Sequence, residues 1–304
     1  TSVGLPAYLD FGVQDSLKKF FTDTDLEERI LTLFDIPGAG KSTTMQLLAA
    51  QAKCAYIRFH AESDILGSMT SKMKLKLPQS SEVLQLKLQI IGASALESIF
   101  KGALKSMNEC GEIYFPSFNT EYEFTCIDVD CVDDSDKLDL LWHQSKEELG
   151  KAVSACILKA QDIQNCKLFI LHIDERQSWL TDSTNFSRNQ NTQINNTNDL
   201  DIYKIIAFTQ VLRYLSRTVR VIFTGTTVNV DRFLRFDTSL KVFNNIYKQL
   251  PRFNVQQVKQ LLDIFIVVDK VEEEVIQQLV GPPRILQYFL KHLYHNKSTD
   301  VALN

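Results

Sequence analysis

An α/β fold, with a parallel sheet flanked by helices and a small helical lid at its C-terminal end, is what this sequence predicts, on three observations. A short apolar run, Ile30 to Ile36, breaks at Pro37-Gly38 and leads at once into a helical pattern from Ser42 to Ala50, then into a β-rich run, Cys54 to Phe59. Strand, tight loop, helix, strand is the unit that opens a parallel sheet, because parallel neighbours need a crossover between them. Further along, Lys167 to Ile173 (KLFILHI) is apolar at nearly every position, the profile of a central strand covered on both faces. A third such run, Val219 to Thr224 (VRVIFT), follows a helix expected over Asp201 to Ser216.

The remaining elements fall around these. Leu17 to Phe21 and Leu26 to Arg29 read as a helical lead-in, and Ser81 to Met107 as a long helix. Tyr114 to Cys126 is a polar-aromatic stretch without a clear period, and the acidic cluster from Asp128 to Asp139 lacks the glycine and terminal Glu of a Ca²⁺ loop, so it reads as a solvated loop. Thr181 to Asn198, rich in Asn, Thr, Gln and Ser, has almost nothing to bury and reads as a mobile loop. The last third holds a strand near Phe243 to Leu250, a helix from Val255 to Phe265 with Asn254 as its cap, and two helical segments about Gly281-Pro282-Pro283-Arg284. The expected organisation is a core over 1–250, interrupted by an insertion at about 61–164, and a helical lid over 251–304.

Composition narrows the functional classes. With 304 residues, 44% hydrophobic and 23% charged, the chain has the proportions of a globular protein able to bury a sizeable core. Its net charge of −4 gives no global basic field, so bulk charge does not support nucleic-acid binding; the local cluster Lys72, Lys74 and Lys76 is the basic feature that favours it. The 6 cysteines include no C-x-x-C pair, which points to free buried thiols rather than a zinc knuckle or a disulfide framework. No run approaches the roughly 18 apolar residues of a membrane span, so no membrane is expected as a partner. A chain that opens on Thr1 rather than Met reads as a piece of a longer one, and its localisation is not legible from what is present.

The chemistry concentrates in D-I-P-G-A-G-K-S, Asp35 to Ser42, set between a strand and a helix as the phosphate-loop pattern G-x-x-x-x-G-K-[ST] requires. Pro37, Gly38, Ala39 and Gly40 turn the backbone so that its amides face a polyphosphate, and the helix that opens at Lys41 aims its positive end at the same place. Lys41 is expected on the β- and γ-phosphates and Ser42 on Mg²⁺; Thr43 and Thr44 either touch the α-phosphate or only start the helix. The pattern departs at its first position, where Asp35 replaces glycine and sets a carboxylate at the base of an anion-binding loop.

Three further elements complete the set. In L-F-I-L-H-I-D-E, Asp174 at the strand end is the candidate Mg²⁺ ligand and Glu175 the candidate base for the attacking water. His172 receives no role. In V-I-F-T-G-T-T the hydroxyls of Thr224, Thr226 and Thr227 end a strand; Thr224 is the candidate sensor of the γ-phosphate, with a turn role as the alternative. Arg284, in G-P-P-R at the head of an apolar helix, is a candidate phosphate contact aimed by two prolines that pre-set the helical turn, with a solvated helix-start arginine as the alternative; Arg232 and Arg235 are candidates for a neighbouring subunit's nucleotide in a homo-oligomer, with surface solvation as the alternative.

With these elements in order, the chain resembles the P-loop ATPases of the AAA+ and STAND type, and more narrowly the NTPase module of the Crinkler and retrotransposon-hot-spot effector family. D-I-P-G-A-G-K-S and H-I-D-E-R-Q carry the broader resemblance; F-T-G-T and G-P-P-R, with Gln177 after the acidic pair, suggest the narrower one. The resemblance implies an ATPase fused to a nuclease-like or kinase-like effector domain, secreted into a host cell and often acting in its nucleus. Three activities follow as expectations: hydrolysis of ATP (or GTP) with Mg²⁺, a nucleotide switch that does not hydrolyse, and regulation of a nucleic-acid-acting domain.

Overall fold

The computed structural model describes residues 15–26, 29–60, 81–118, 129, 132–174, 210–216, 218–225, 245–247, 250–265 and 271–296. In chain order they form α1 (Asp15–Thr22), β1 (Ile30–Phe34), α2 (Lys41–Gln51), β2 (Ala55–His60), α3 (Ser81–Cys110), β3 (Tyr114–Phe118), α4 (Ser135–Gln164), β4 (Phe169–Asp174), β5 (Arg220–Gly225), β6 (Asn245–Tyr247), α5 (Val255–Leu262), α6 (Glu273–Leu279) and α7 (Pro283–Asn296). Residues 210–215 are also helical. The strands make one sheet in the order β3-β2-β4-β5-β1-β6, parallel throughout.

The two-residue period of a strand sorts the core into two layers, one on each sheet face. Ile57, Phe59, Leu171, Ile173, Val221 and Phe223 pack with α3, α4 and the 210–215 helix. Leu31, Leu33, Tyr56, Ile170 and Ile222 point the other way, onto α1 and α2. This is a three-layer α/β/α fold of the P-loop type, with β5 between the strand that precedes the phosphate loop and the strand that ends in Asp174. Buried Arg220 ties α1 to the sheet by donating to the carbonyls of Phe20 and Asp23, which satisfies the acceptors at that helix end.

Several expectations need correction. Leu26 and Arg29 lie outside any helix, the lead-in being α1 alone. The aromatic stretch from Tyr114 begins with the edge strand β3, whose partner register on β2 shifts between Ile57 and Phe59; a pattern of two exposed positions hid its period. The acidic cluster is not one loop. Asp134 caps α4 by accepting from the amides of Asp136 and Lys137, and Asp136 and Asp139 lie within that 30-residue helix. The described part of 61–164, read as an insertion, thus supplies an edge strand of the sheet and two helices of its flank.

Helix α3 also matches a membrane span by length and apolarity, with a mean hydropathy of 1.3 over its best window, although its run is broken by residues such as Lys87 and Glu97. Its apolar positions face the sheet and α4, and 67% of that window is buried. Lys87, itself buried, reaches Asp133 at 3.0 Å. Of the cysteines, Cys54, Cys156 and Cys166 are buried free thiols and Cys110 an exposed one; burial pushes the Cys54 and Cys156 thiols up to about 12, which keeps them protonated and inert. Cys126 and Cys131 lie outside the described residues.

Helices α5 to α7 close around their own apolar cluster, which includes Phe253, Leu261, Leu262, Ile276 and Leu286. Asn254 caps α5 in a reciprocal capping box with Gln257. Phe253 and Gly281 exchange backbone hydrogen bonds of 2.9 and 3.0 Å, so the segment leaving the core and the loop before α7 are clamped side by side.

Candidate functional site

The site lies at the carboxyl ends of the parallel strands, where an open α/β sheet presents its crevice. β1 is buried at all five positions and delivers the chain into a turn closed by the Ala39 amide on the Ile36 carbonyl at 3.3 Å. Gly38 and Gly40 follow with φ of +81° and +86°, values that disfavour any side chain. α2 opens at Lys41 with Gly40 as its N-cap and no side-chain cap, so its first-turn amides are not claimed by a capping residue. Left-handed glycines leading into an uncapped helix start form an anion cradle.

Lys41 is buried, and its ammonium is held by the carbonyls of Asp35 and Ile36 at 2.9 and 3.0 Å. It therefore lies folded along the loop whose amides it supports. Ser42, in the first turn of α2, donates from its hydroxyl to Asp174 Oδ2 at 2.7 Å, which joins two residues 132 positions apart. Thr43 is exposed in the same turn, and Pro37 is exposed at the loop tip. Ser42 and Asp174 are hard oxygen donors of the kind Mg²⁺ takes, and the described residues contain no cluster of three or more His, Cys, Asp or Glu that could cage a metal alone. One hydroxyl and one carboxylate fit Mg²⁺ completed by phosphates and water, and fit Zn²⁺ poorly.

Asp174 is the hub of the site. Thr224 donates its hydroxyl to Oδ1, and Arg58 donates Nε to Oδ2 at 2.9 Å and Nη2 to the same oxygen. Burial opposes its ionisation, but the electrostatic influence of His172 and the donors Thr224, Arg58 and Ser42 outweigh it and hold the carboxyl well below the usual range. Thr224 is thus already engaged: its proton goes to Asp174, so its oxygen is the acceptor toward His172 Nε2 at 2.8 Å, and Nε2 carries the hydrogen. His172 Nδ1 in turn meets the Tyr56 hydroxyl at 2.6 Å, and Tyr56 stacks on Tyr114.

Asp35 does not face the phosphates as a bare carboxylate. It is buried and accepts from Arg252 through both oxygens, from the Leu250 amide at 2.8 Å and from the Ile36 amide at 2.7 Å. Burial alone would raise its pKa; the Arg252 hydrogen bond and the two amides overcome that and lower it. The departure from glycine thus serves an ion pair between the phosphate-loop strand and the chain that leads into α5. Arg284, the first-turn arginine of α7, lies on the loop itself. Its amide donates to the Gly38 carbonyl at 3.3 Å, and a Cβ at Gly38 would come within 2.7 Å of Arg284 Cβ.

The residues brought together are therefore Gly38, Gly40, Lys41, Ser42, Asp174, Thr224 and Arg284, while Glu175, Gln177, Thr226, Thr227, Arg232 and Arg235 lie outside the described residues. Sequence reasoning missed Arg58, His172, Tyr56 and Arg252. The first three were within reach of a simple signal: in β2 and β4 the even-numbered positions form one face, and Tyr56, Arg58, His172 and Asp174 all fall on it. Arg252 carried no local signal.

No protein-family model matches the chain, and no curated protein matches it in sequence. Among solved structures, a Walker-type ATPase of Pyrococcus abyssi is similar over 93% of this chain and 68% of its own, with a TM-score of 0.46 and 14% identity. The Orc1 protein of Aeropyrum pernix, solved in complex with DNA, is similar over 99% of this chain and 64% of its own, with a TM-score of 0.46 and 11% identity. The chain therefore spans about two thirds of the length of each.

Proposed function

We propose that the chain binds a nucleoside triphosphate, ATP in preference, with Mg²⁺ on the Asp35–Ser42 loop and hydrolyses its γ-phosphate. The observation that carries this reading is the 2.7 Å contact between Ser42 and Asp174, made beside an uncapped helix start and the buried ammonium of Lys41. Loop amides and the α2 terminus would bind the phosphate oxygens, and Lys41 would exchange the carbonyls of Asp35 and Ile36 for them. Ser42 and Asp174 would hold Mg²⁺, which when bound neutralises charge on the β- and γ-phosphate oxygens. Glu175, next in sequence to Asp174, would take the proton of the attacking water, and Arg284 would supply positive charge from the lid. Thr224 would orient Asp174 rather than touch the γ-phosphate while its hydroxyl stays engaged.

The test is phosphate release from ATP and GTP by the wild-type chain, Lys41→Ala and Glu175→Gln. Lys41→Ala should lose nucleotide binding, and Glu175→Gln should keep binding and lose turnover. Equal turnover in wild type and Glu175→Gln contradicts the assignment.

A second reading, a nucleotide switch that does not hydrolyse, is favoured by the way Arg252 and Arg284 fasten α5 to α7 onto the loop. ADP retained through purification, with no phosphate release, would support it. The narrower resemblance to Crinkler-type effector modules adds the proposals of a fused nuclease-like or kinase-like domain, assembly into a homo-oligomer and delivery to a host cell nucleus. These rest on F-T-G-T, G-P-P-R and Gln177, and regulation of a nucleic-acid-acting domain has no support from the net charge of −4.

A further inference from the structure

Arg58 stands beside the reacting centre without a part in the reaction just described. It lies on β2 with its side chain 21% exposed and reaches diagonally to Asp174, whose side chain is 3% exposed. Oδ2 of Asp174 is the oxygen turned to the phosphate loop, since Ser42 donates to it, and it also accepts both Nε and Nη2 of Arg58. A divalent cation that takes Ser42 and Asp174 as ligands must coordinate among these donors. It cannot share Oδ2 with a guanidinium at hydrogen-bond distance, because the N–H groups fill the lone-pair directions and the two positive charges repel. The guanidinium has a second partner ready: Nη1 donates to the Pro116 carbonyl on β3 at 3.3 Å.

We propose that Arg58 is a displaceable counter-ion that sets the metal affinity of the site. Its guanidinium occupies Asp174 Oδ2 in the nucleotide-free protein and leaves when a divalent cation enters. Free cation then binds weakly, and the metal enters with the nucleotide, whose phosphates supply the missing ligands and attract the displaced guanidinium. This rests on the reading of Ser42 and Asp174 as metal ligands.

The experiment is a Mn²⁺ titration of the whole 304-residue chain without nucleotide, with free Mn²⁺ followed by electron paramagnetic resonance. Arg58→Gln should bind Mn²⁺ roughly ten to a hundredfold more tightly than wild type, the range expected for removing a charged hydrogen-bond competitor. Adding Asp174→Asn to Arg58→Gln should abolish the gain. Arg58→Lys, whose ammonium cannot make both contacts to one oxygen, should fall between, and it decides the matter if Arg58→Gln does not fold. Mn²⁺ affinity unchanged or weakened in these variants, or no Mn²⁺ binding in any of them, overturns the proposal. Binding of ATP with Mg²⁺ is measured alongside: wild type that binds ATP while Arg58→Gln gains no Mn²⁺ affinity sinks the Arg58 role alone, whereas failure of wild type to bind ATP with Mg²⁺ sinks the nucleotide reading.

Discussion

Arg252 and Asp35 form a two-pronged ion pair that joins the base of the phosphate loop to the chain entering α5, with Asp35 1% exposed and Arg252 29%. Asp35 follows β1 directly, and the neighbouring Leu250 amide binds the same carboxylate, so the Arg252 guanidinium and the Leu250 amide, 217 and 215 residues away in sequence, converge on one side chain with the local Ile36 amide. A carboxylate that replaces the first glycine of a phosphate loop is thereby neutralised before it can repel a phosphate.

Removing the arginine leaves a buried charge with fewer partners. Arg252→Ala should lower stability by about 2 kcal/mol, below the cost of breaking a fully buried pair because water reaches part of Arg252. Denaturant unfolding of wild type, Arg252→Ala, Asp35→Asn and the double variant measures it, and the double variant should lose less than the sum of the single ones.

The same pair predicts an acid limb. The Asp35 carboxyl is lowered in the folded protein, so the unfolded chain takes up its proton first as pH falls. The stability this contributes is fully present above the unfolded value of about 3.9 and is lost as pH drops through the lower folded value. Asp174 is lowered too and acts in the same direction. Thermal unfolding between pH 6 and the lowest accessible pH should show a shallower acid loss for Asp35→Asn than for wild type.

Gly38 packs directly against Arg284 of α7. With φ at +81° and Arg284 Cβ 2.7 Å from where a methyl would stand, Gly38→Ala should cost about 1–3 kcal/mol and loosen α7 from the loop. Adding Arg284→Ala removes some of the obstructing side chain but not the backbone strain. The pair should therefore recover only part of the loss in a denaturant titration.

Much of the fold was legible because its elements announce themselves locally. The runs that became β1, β4 and β5 are apolar on both faces, and the P-G-A-G-K-S turn fixes the strand-to-helix step without help from distant residues. β3 was not legible: an edge strand buries only part of itself, so Tyr114 to Phe118 has neither a continuous apolar run nor a clean alternation. α4 was hidden behind its own cap, since Asp134 and the acidic residues around it look like a loop until the apolar stripe of Leu138, Leu149, Val153 and Cys156 is traced through them. In the site, Ser42, Lys41 and Asp174 were named from motif spacing. The Thr224 and Arg252 contacts were not, because each depends on sheet order or on a long-range approach that no local pattern encodes, and the Arg58 contact follows from strand alternation only once β2 is known to pair with β4.

Calorimetric titration of ATP with Mg²⁺ into the chain tests whether the loop around Gly38, Gly40 and Lys41 holds a polyphosphate opposite Asp174. Saturable heat is predicted for wild type, with a melting temperature raised by about 5 °C at saturation, and neither for Lys41→Ala. No heat from the wild-type chain at millimolar ATP, or equal binding by Lys41→Ala, would contradict it.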